Sequence, residues 1–130
     1  MTGCAIDQQR PKWSVIERVG HLVDSEIVTS GRVRWVAAED EPAIIGYDQD
    51  RWVDGLRHRD DDPDELIALF DALRTANLRL WATLPPVARV RVGIHNERGA
   101  ESYDLIWRLV AGHDRFHLAQ AERALAAVRG

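Results

Sequence analysis

The chain has 130 residues, 45% of them hydrophobic and 29% charged, which is enough for one domain with a core and too few for two. Its net charge of −4, with 17 basic residues scattered among 21 acidic ones, argues against a phosphate-binding face, so no nucleic-acid partner is expected. The lone Cys4 cannot form an internal disulfide, and neither an apolar leader nor an apolar run of roughly 20 residues is present, so a cytoplasmic protein without a membrane span is expected.

The first helix is announced by "WSVIE", where Ser14 can cap the helix and Glu17 can reach back in a capping box. From there the chain runs without proline to about Ala38. The next segment, "EDEPAIIGYDQDRWVDGLRHRDD", predicts a short helical turn around Arg51 to Leu56. A second long helix starts at "DDPDEL", with Asp62 as cap, Pro63 at the first helical position and Glu65 completing a box. It must stop at Leu84, before Pro85 and Pro86. "ARVRVGIH" alternates like a strand, but no partner strand is obvious, so it reads as an extended crossover. A third long helix is predicted from near Ser102 to about Arg129. Long helices of about 22 to 28 residues, roughly 35 to 40 Å each, predict a bundle.

The last helix carries His113 and His117 four residues apart. At 100° per residue both fall among Ile106, Val110, Ala121, Ala124 and Val128, opposite Asp104, Arg108, Arg115 and Glu122. Two imidazoles on an apolar face need hydrogen-bond partners or a shared ligand. Residue pattern alone leaves both readings open: metal ligands, or satisfied core histidines.

On the first helix the apolar stripe is Val15, Ile16, Val19, Leu22, Val23 and Ile27. His21 falls nearly opposite its centre, which predicts an exposed ring unless the helix is contacted on two sides. Glu26 interrupts that stripe, and Arg74 interrupts the face formed by Leu66, Phe70, Leu73, Asn77, Trp81 and Leu84 on the middle helix. A buried guanidinium requires a carboxylate, so these two are expected to pair, the alternative being an Arg74 that snorkels to solvent. His95 in "GIHNERG" is a weaker candidate for a fourth ligand, and His58 amid "RHRDDD" reads as surface. Asp48 and Asp50 are acidic-loop residues that could lie at the mouth of a cleft, and the five tryptophans read as packing. With one lysine, Lys12, no phosphate-cradling loop and no serine nucleophile in a recognisable turn, phosphoryl transfer and Schiff-base chemistry find no support.

"KWSVIERVGHLVDSE", "GYDQDRWV", "LFDALR" and "AGHDRFHLAQAER", in that order, resemble the DinB-like superfamily of metal-binding helical bundles over about Lys12 to Arg123. The most specific part is "GHLVDSE" followed some ninety residues later by "GHDRFH". The resemblance implies a single all-α domain spanning 1–130, a bundle of the DinB-like four-helix type with three long helices and a short helical turn. By that pattern the family's usual N-terminal helix is expected to be missing or shortened, and family members are commonly homodimers, so a homodimer is expected here.

The resemblance further implies a divalent metal held by His21, His113 and His117, zinc or nickel before iron or manganese. Three neutral imidazoles leave the ion its full charge and an open position. Asp24, one turn beyond His21, is the candidate proton acceptor or orienting carboxylate. Known members include transferases that use a low-molecular-weight thiol, together with isomerases and hydrolases. A metal-dependent thiol S-transferase or hydrolase acting on a small electrophilic molecule is therefore expected. The alternative is a non-catalytic, metal-stabilised dimeric bundle serving as a stress-response or binding module.

Overall fold

Ser14 does what its spacing to Glu17 requires. Its hydroxyl accepts from the Glu17 N–H at 3.3 Å, and the Glu17 carboxylate accepts from the Ser14 N–H at 3.1 Å. From this box α1 runs over Val15–Ala38. The structure is a computed structural model that describes residues 13–129, apart from the side chains of residues 116–118, 120–122 and 124–129. After α1 come β1 (Ala43–Ile44), the short α2 (Gln49–Gly55) and a 3₁₀ turn at His58–Asp60. Next are α3 (Pro63–Thr83), a second 3₁₀ turn at Pro86–Val90, β2 (Val92–His95), β3 (Gly99–Ser102) and α4 (Tyr103–Arg129).

The helix boundaries follow local chemistry. Asp48 caps α2 by accepting from the Arg51 N–H at 3.0 Å. Asp62 caps α3 by accepting from the Asp64 N–H at 2.9 Å, Pro63 stands in its first turn, and Leu84 ends it before the two prolines. The last turn of α1 has no basic residue of its own. Arg91 supplies the missing charge from outside, donating to the Val36 carbonyl at 3.2 Å and the Glu39 carbonyl at 2.8 Å.

The three long helices have a consistent direction. Glu26 meets Arg74 and Ser30 meets Asn77, so α1 and α3 run the same way. His21 meets His113, while Val33 and Val36 pack with Tyr103, so α4 runs against α1. The parallel pair is possible because the long segment between α1 and α3 returns the chain to the starting end. The α1·α3 and α1·α4 faces dominate the packing, which places α1 at the centre.

Apolar burial concentrates at one end. Val33, Val36, Ile44, Tyr103 and Ile106 form the core there, with Trp81, Leu84 and Trp107 packed around it. Each such buried side chain contributes about 1.5–3 kcal/mol. Trp81 stacks on Tyr103 with centroids 5.7 Å apart, and the Arg89 guanidinium lies over the Trp81 ring at 4.3 Å from its centroid. These tryptophans are packing residues, as their sequence positions suggest.

The segment read as an extended crossover is a strand with two partners. β2 pairs antiparallel with β3, Val92 opposite Ser102 and His95 opposite Gly99, and parallel with β1, Ala43 opposite Ile94. This small sheet lies over the end of α1. Gly93 allows the approach: a Cβ there would come within 2.6 Å of Ile44 Cδ1 and 2.9 Å of Val36 Cγ2. No helix among the described residues is long and apolar enough to cross a membrane.

Candidate metal centre

Away from the apolar end, α1 buries Val23 together with four polar side chains, Arg18, His21, Asp24 and Glu26. His21, Asp24 and Glu26 meet partners from three directions, His113, His58 and Arg74, so α1 has no solvent-facing polar stripe at this level. The apolar stripe is buried only in part. Ile27, counted in it, is 42% exposed, whereas His21 is 0% exposed.

His21 and His113 come together. Their Nε2 atoms are 2.8 Å apart, with ring centroids at 4.7 Å and planes at 64°. Trp13, just before the α1 cap, closes over His21 with centroids 4.8 Å apart. These two histidines are 92 residues apart in the chain, and only the antiparallel course of α4 brings them face to face. His117 lies on α4 one turn beyond His113; its side chain is outside the described residues, as is Cys4. Among the described residues no group of three metal-ligating side chains occurs.

The two rings fit a metal. Two facing Nε2 atoms can share at most one proton, and the arrangement instead aims two lone pairs at one point when both rings carry their proton on Nδ1. Tetrahedral zinc with bonds near 2.0–2.1 Å separates neighbouring nitrogens by about 3.3 Å. The observed pair reaches that separation by opening about half an ångström.

Asp24 is buried and bonded to a partner that sequence reasoning placed on the surface. His58 Nε2 is 2.7 Å from Asp24 Oδ2, and His58 Nδ1 is 2.7 Å from Asp61 Oδ2. His58 is 5% exposed, so its reading as a surface residue is corrected. The charged run around it conceals the packing. Arg57 adopts a left-handed conformation, φ 57°, that turns His58 towards α1. Gly20 leaves room for the ring, since a Cβ there would lie 2.3 Å from His58 Cγ. A glycine next to His21 was the one available signal.

Burial raises the Asp24 pKa, against the lowering effect of its bond to His58. Burial would lower the pKa of His58, but the hydrogen bonds and negative charges of Asp61 and Asp24 outweigh it and the net shift is upward. The folded state thus holds the His58 proton more tightly than the unfolded chain. Its stabilising contribution is full below the ordinary histidine value of 6.5 and is lost as pH rises through the raised folded value. We expect the thermal midpoint to fall as pH rises from the ordinary histidine value of 6.5 into the alkaline range, and His58→Gln to flatten that slope. A His58→Gln protein with the parent's slope over this range would refute the assignment.

His95 stands on β2 rather than in a loop, and its Nδ1 accepts from the backbone N–H groups of Glu97 at 3.0 Å and Arg98 at 3.1 Å. That fixes its ring as part of the hairpin turn. Burial and the nearby Arg98 charge lower its pKa. The fourth-ligand expectation gains nothing from this placement.

Glu26 and Arg74 pair as expected. Arg74 Nε donates to Glu26 Oε2 at 2.9 Å and Nη2 to Oε1 at 3.0 Å, a two-pronged contact across α1 and α3. Sequence reasoning missed the other members of this network, Asn77 and Asp114 nearest the pair. Asn77 Nδ2 donates to Glu26 Oε2 at 2.9 Å, and Arg74 Nη2 also donates to Asp114.

A sequence profile of the DinB superfamily matches residues 4–121. A protein of Oceanobacillus iheyensis, named "Putative metal-dependent hydrolase OB0782", is 29% identical over 108 residues, 82% of this chain and 62% of that protein. The chain therefore spans less than two thirds of that relative's length. Among solved structures, YfiT from Bacillus subtilis matches with a TM-score of 0.84 and 25% identity, over 98% of this chain and 75% of that one. It is described as "a probable metal-dependent hydrolase with an unusual four-helix bundle topology". The four α-helices among the described residues, three long and one short, share that bundle fold, with the small sheet as a minor addition.

Proposed function

This chain belongs to the DinB superfamily, and from that premise we propose that it is a metal-dependent enzyme acting on a small electrophilic substrate, in the first instance a hydrolase. One observation carries the reading: the 2.8 Å convergence of the His21 and His113 Nε2 atoms from opposite helices. With His117, one helical turn along α4, they make the three-imidazole set that we assign to a divalent ion. The names given to the Oceanobacillus and Bacillus proteins support the same reading. When bound, such an ion supplies a Lewis-acidic charge that brings a coordinated water or thiol towards ionisation at neutral pH.

The chain's own residues supply the rest. Three neutral ligands leave the charge of the ion uncompensated, and Trp13 covers the His21 side of the site. Asp24 is our candidate proton acceptor. Burial raises its pKa, which suits a carboxylate that must take up and hold a proton, and His58 fixes its orientation through Oδ2.

The test is turnover of a panel of activated esters and amides by protein prepared without chelator. Turnover should vanish with chelator and return with a divalent ion. Adding a low-molecular-weight thiol separates the two chemistries, because a thiol transferase consumes the electrophile only in its presence. Turnover indifferent to chelation would contradict metal dependence. Bound metal with no turnover on either arm would favour the non-catalytic bundle.

A further inference from the structure

We propose that Arg74 is a positioning residue for the metal centre, acting through Asp114 on the ring of His113. The inference rests on the metal-centre reading above and extends it to a residue outside the ligand set.

The guanidinium is fixed on three sides. Glu26, itself 2% exposed, grips it with both oxygens at 2.9 and 3.0 Å; the Phe70 ring lies under it with Arg74 Cζ 4.8 Å from the centroid; and Nη2 also donates to Asp114 Oδ2. Glu26 is in turn held by Asn77, so the guanidinium is not free to follow α4 if that helix shifts. Arg74 therefore sets where the Asp114 carboxylate stands.

The carboxylate's other oxygen, Oδ1, is 3.9 Å from His113 Nδ1. That is too long for a hydrogen bond and within ion-pair reach. A negative charge on the Nδ1 side of an imidazole favours the tautomer that keeps its proton there. The opposite nitrogen of His113, Nε2, then presents a lone pair, and Nε2 is the atom that faces His21. Carboxylates beside the far nitrogen of ligating histidines orient the ring and raise its basicity, and their loss typically costs about 10–100-fold in metal affinity. A guanidinium anchored across α1 and α3 gives Asp114 its fixed position, which one residue on α4 could not provide alone.

Zinc affinity is to be measured by chelator competition on Asp114→Asn, Arg74→Lys, the double variant and His21→Ala, with apo-protein unfolding midpoints alongside. Cobalt(II) absorption would report the ligand field. We expect about 10–100-fold weaker zinc binding in Asp114→Asn and in Arg74→Lys, with altered cobalt bands. The double variant should lose no more affinity than the worse single, because the two residues act in series. A purely structural Arg74 would lower the midpoint and leave zinc affinity and cobalt bands unchanged. If Arg74→Lys fails to fold, Asp114→Asn still decides. Zinc lost in His21→Ala but kept at parental affinity in Asp114→Asn overturns the relay alone. Zinc retained at parental affinity in His21→Ala overturns the metal centre itself, and the relay with it.

Discussion

Truncating Glu26 to alanine should lower the free energy of unfolding by about 3–5 kcal/mol, a large part of the 5–15 kcal/mol typical of a domain. The loss does not come from the attraction of the pair, since burying two charges costs nearly as much as their contact returns. It comes from what remains. Arg74, with its side chain 26% exposed, keeps Asp114 but loses both prongs of its grip, and Asn77 Nδ2 keeps only Ser30 Oγ at 2.7 Å. The Arg34 contact to Asn77 Oδ1, at 2.7 Å, then hangs on a side chain with one fewer anchor. Urea unfolding of the apo protein checks this. Adding Arg74→Met to Glu26→Ala should cost much less than the sum of the two single changes, because it removes the charge that the first change strands. A Glu26→Ala protein within about 0.5 kcal/mol of the parent would show that water satisfies the guanidinium and that the network does not hold α1 to α3.

Replacing His21 by alanine should weaken divalent metal binding by at least about 100-fold. Structural zinc sites with four ligands are worth about 10–16 kcal/mol, or about 3 kcal/mol per ligand, and each 1.4 kcal/mol is tenfold. The site left behind would offer only ligands of α4. His58→Ala and His95→Ala are the controls. Both residues are buried and both should disturb folding when removed, His58 through stranded Asp24 and His95 through the hairpin turn. Neither should change metal stoichiometry in the protein that remains folded. Elemental analysis after dialysis reads all three variants together. Full metal content in His21→Ala would remove α1 from the site.

The helices were legible because their signals are local. Ser14 with Glu17, Asp62 with Pro63, and the double proline after Leu84 are hydrogen-bonding or steric facts of a few adjacent residues, and each stands where it was expected. The Glu26–Arg74 pair was legible for a different reason: two charges on apolar faces leave each other as the obvious partner. The sheet was not legible. β1 has two residues and β3 reads Gly-Ala-Glu-Ser, so neither shows alternation, and their pairing with β2 is a long-range outcome.

His21 defeats a helical wheel because a wheel assumes one buried face. α1 is enclosed by α4 at His21, by α3 at Glu26 and by the His58 turn at Asp24, so burial winds around it. The family resemblance implied the ligand set that the wheel could not. His58 shows the opposite error. Its neighbours are charged, but one left-handed residue and one missing Cβ are enough to bury it. Asp114 is next to His113 in sequence, yet its importance lies in Arg74, 40 residues earlier and on another helix.

Every functional step above requires rings from α1 and α4 to share one ion. Anomalous diffraction at the absorption edge of the metal that copurifies with the protein tests that directly. The expected result is a single peak within about 2.0–2.2 Å of the Nε2 atoms of His21 and His113, with His117 as the third ligand. A peak elsewhere, or the two rings still hydrogen-bonded to each other in crystals soaked with that ion, would contradict it.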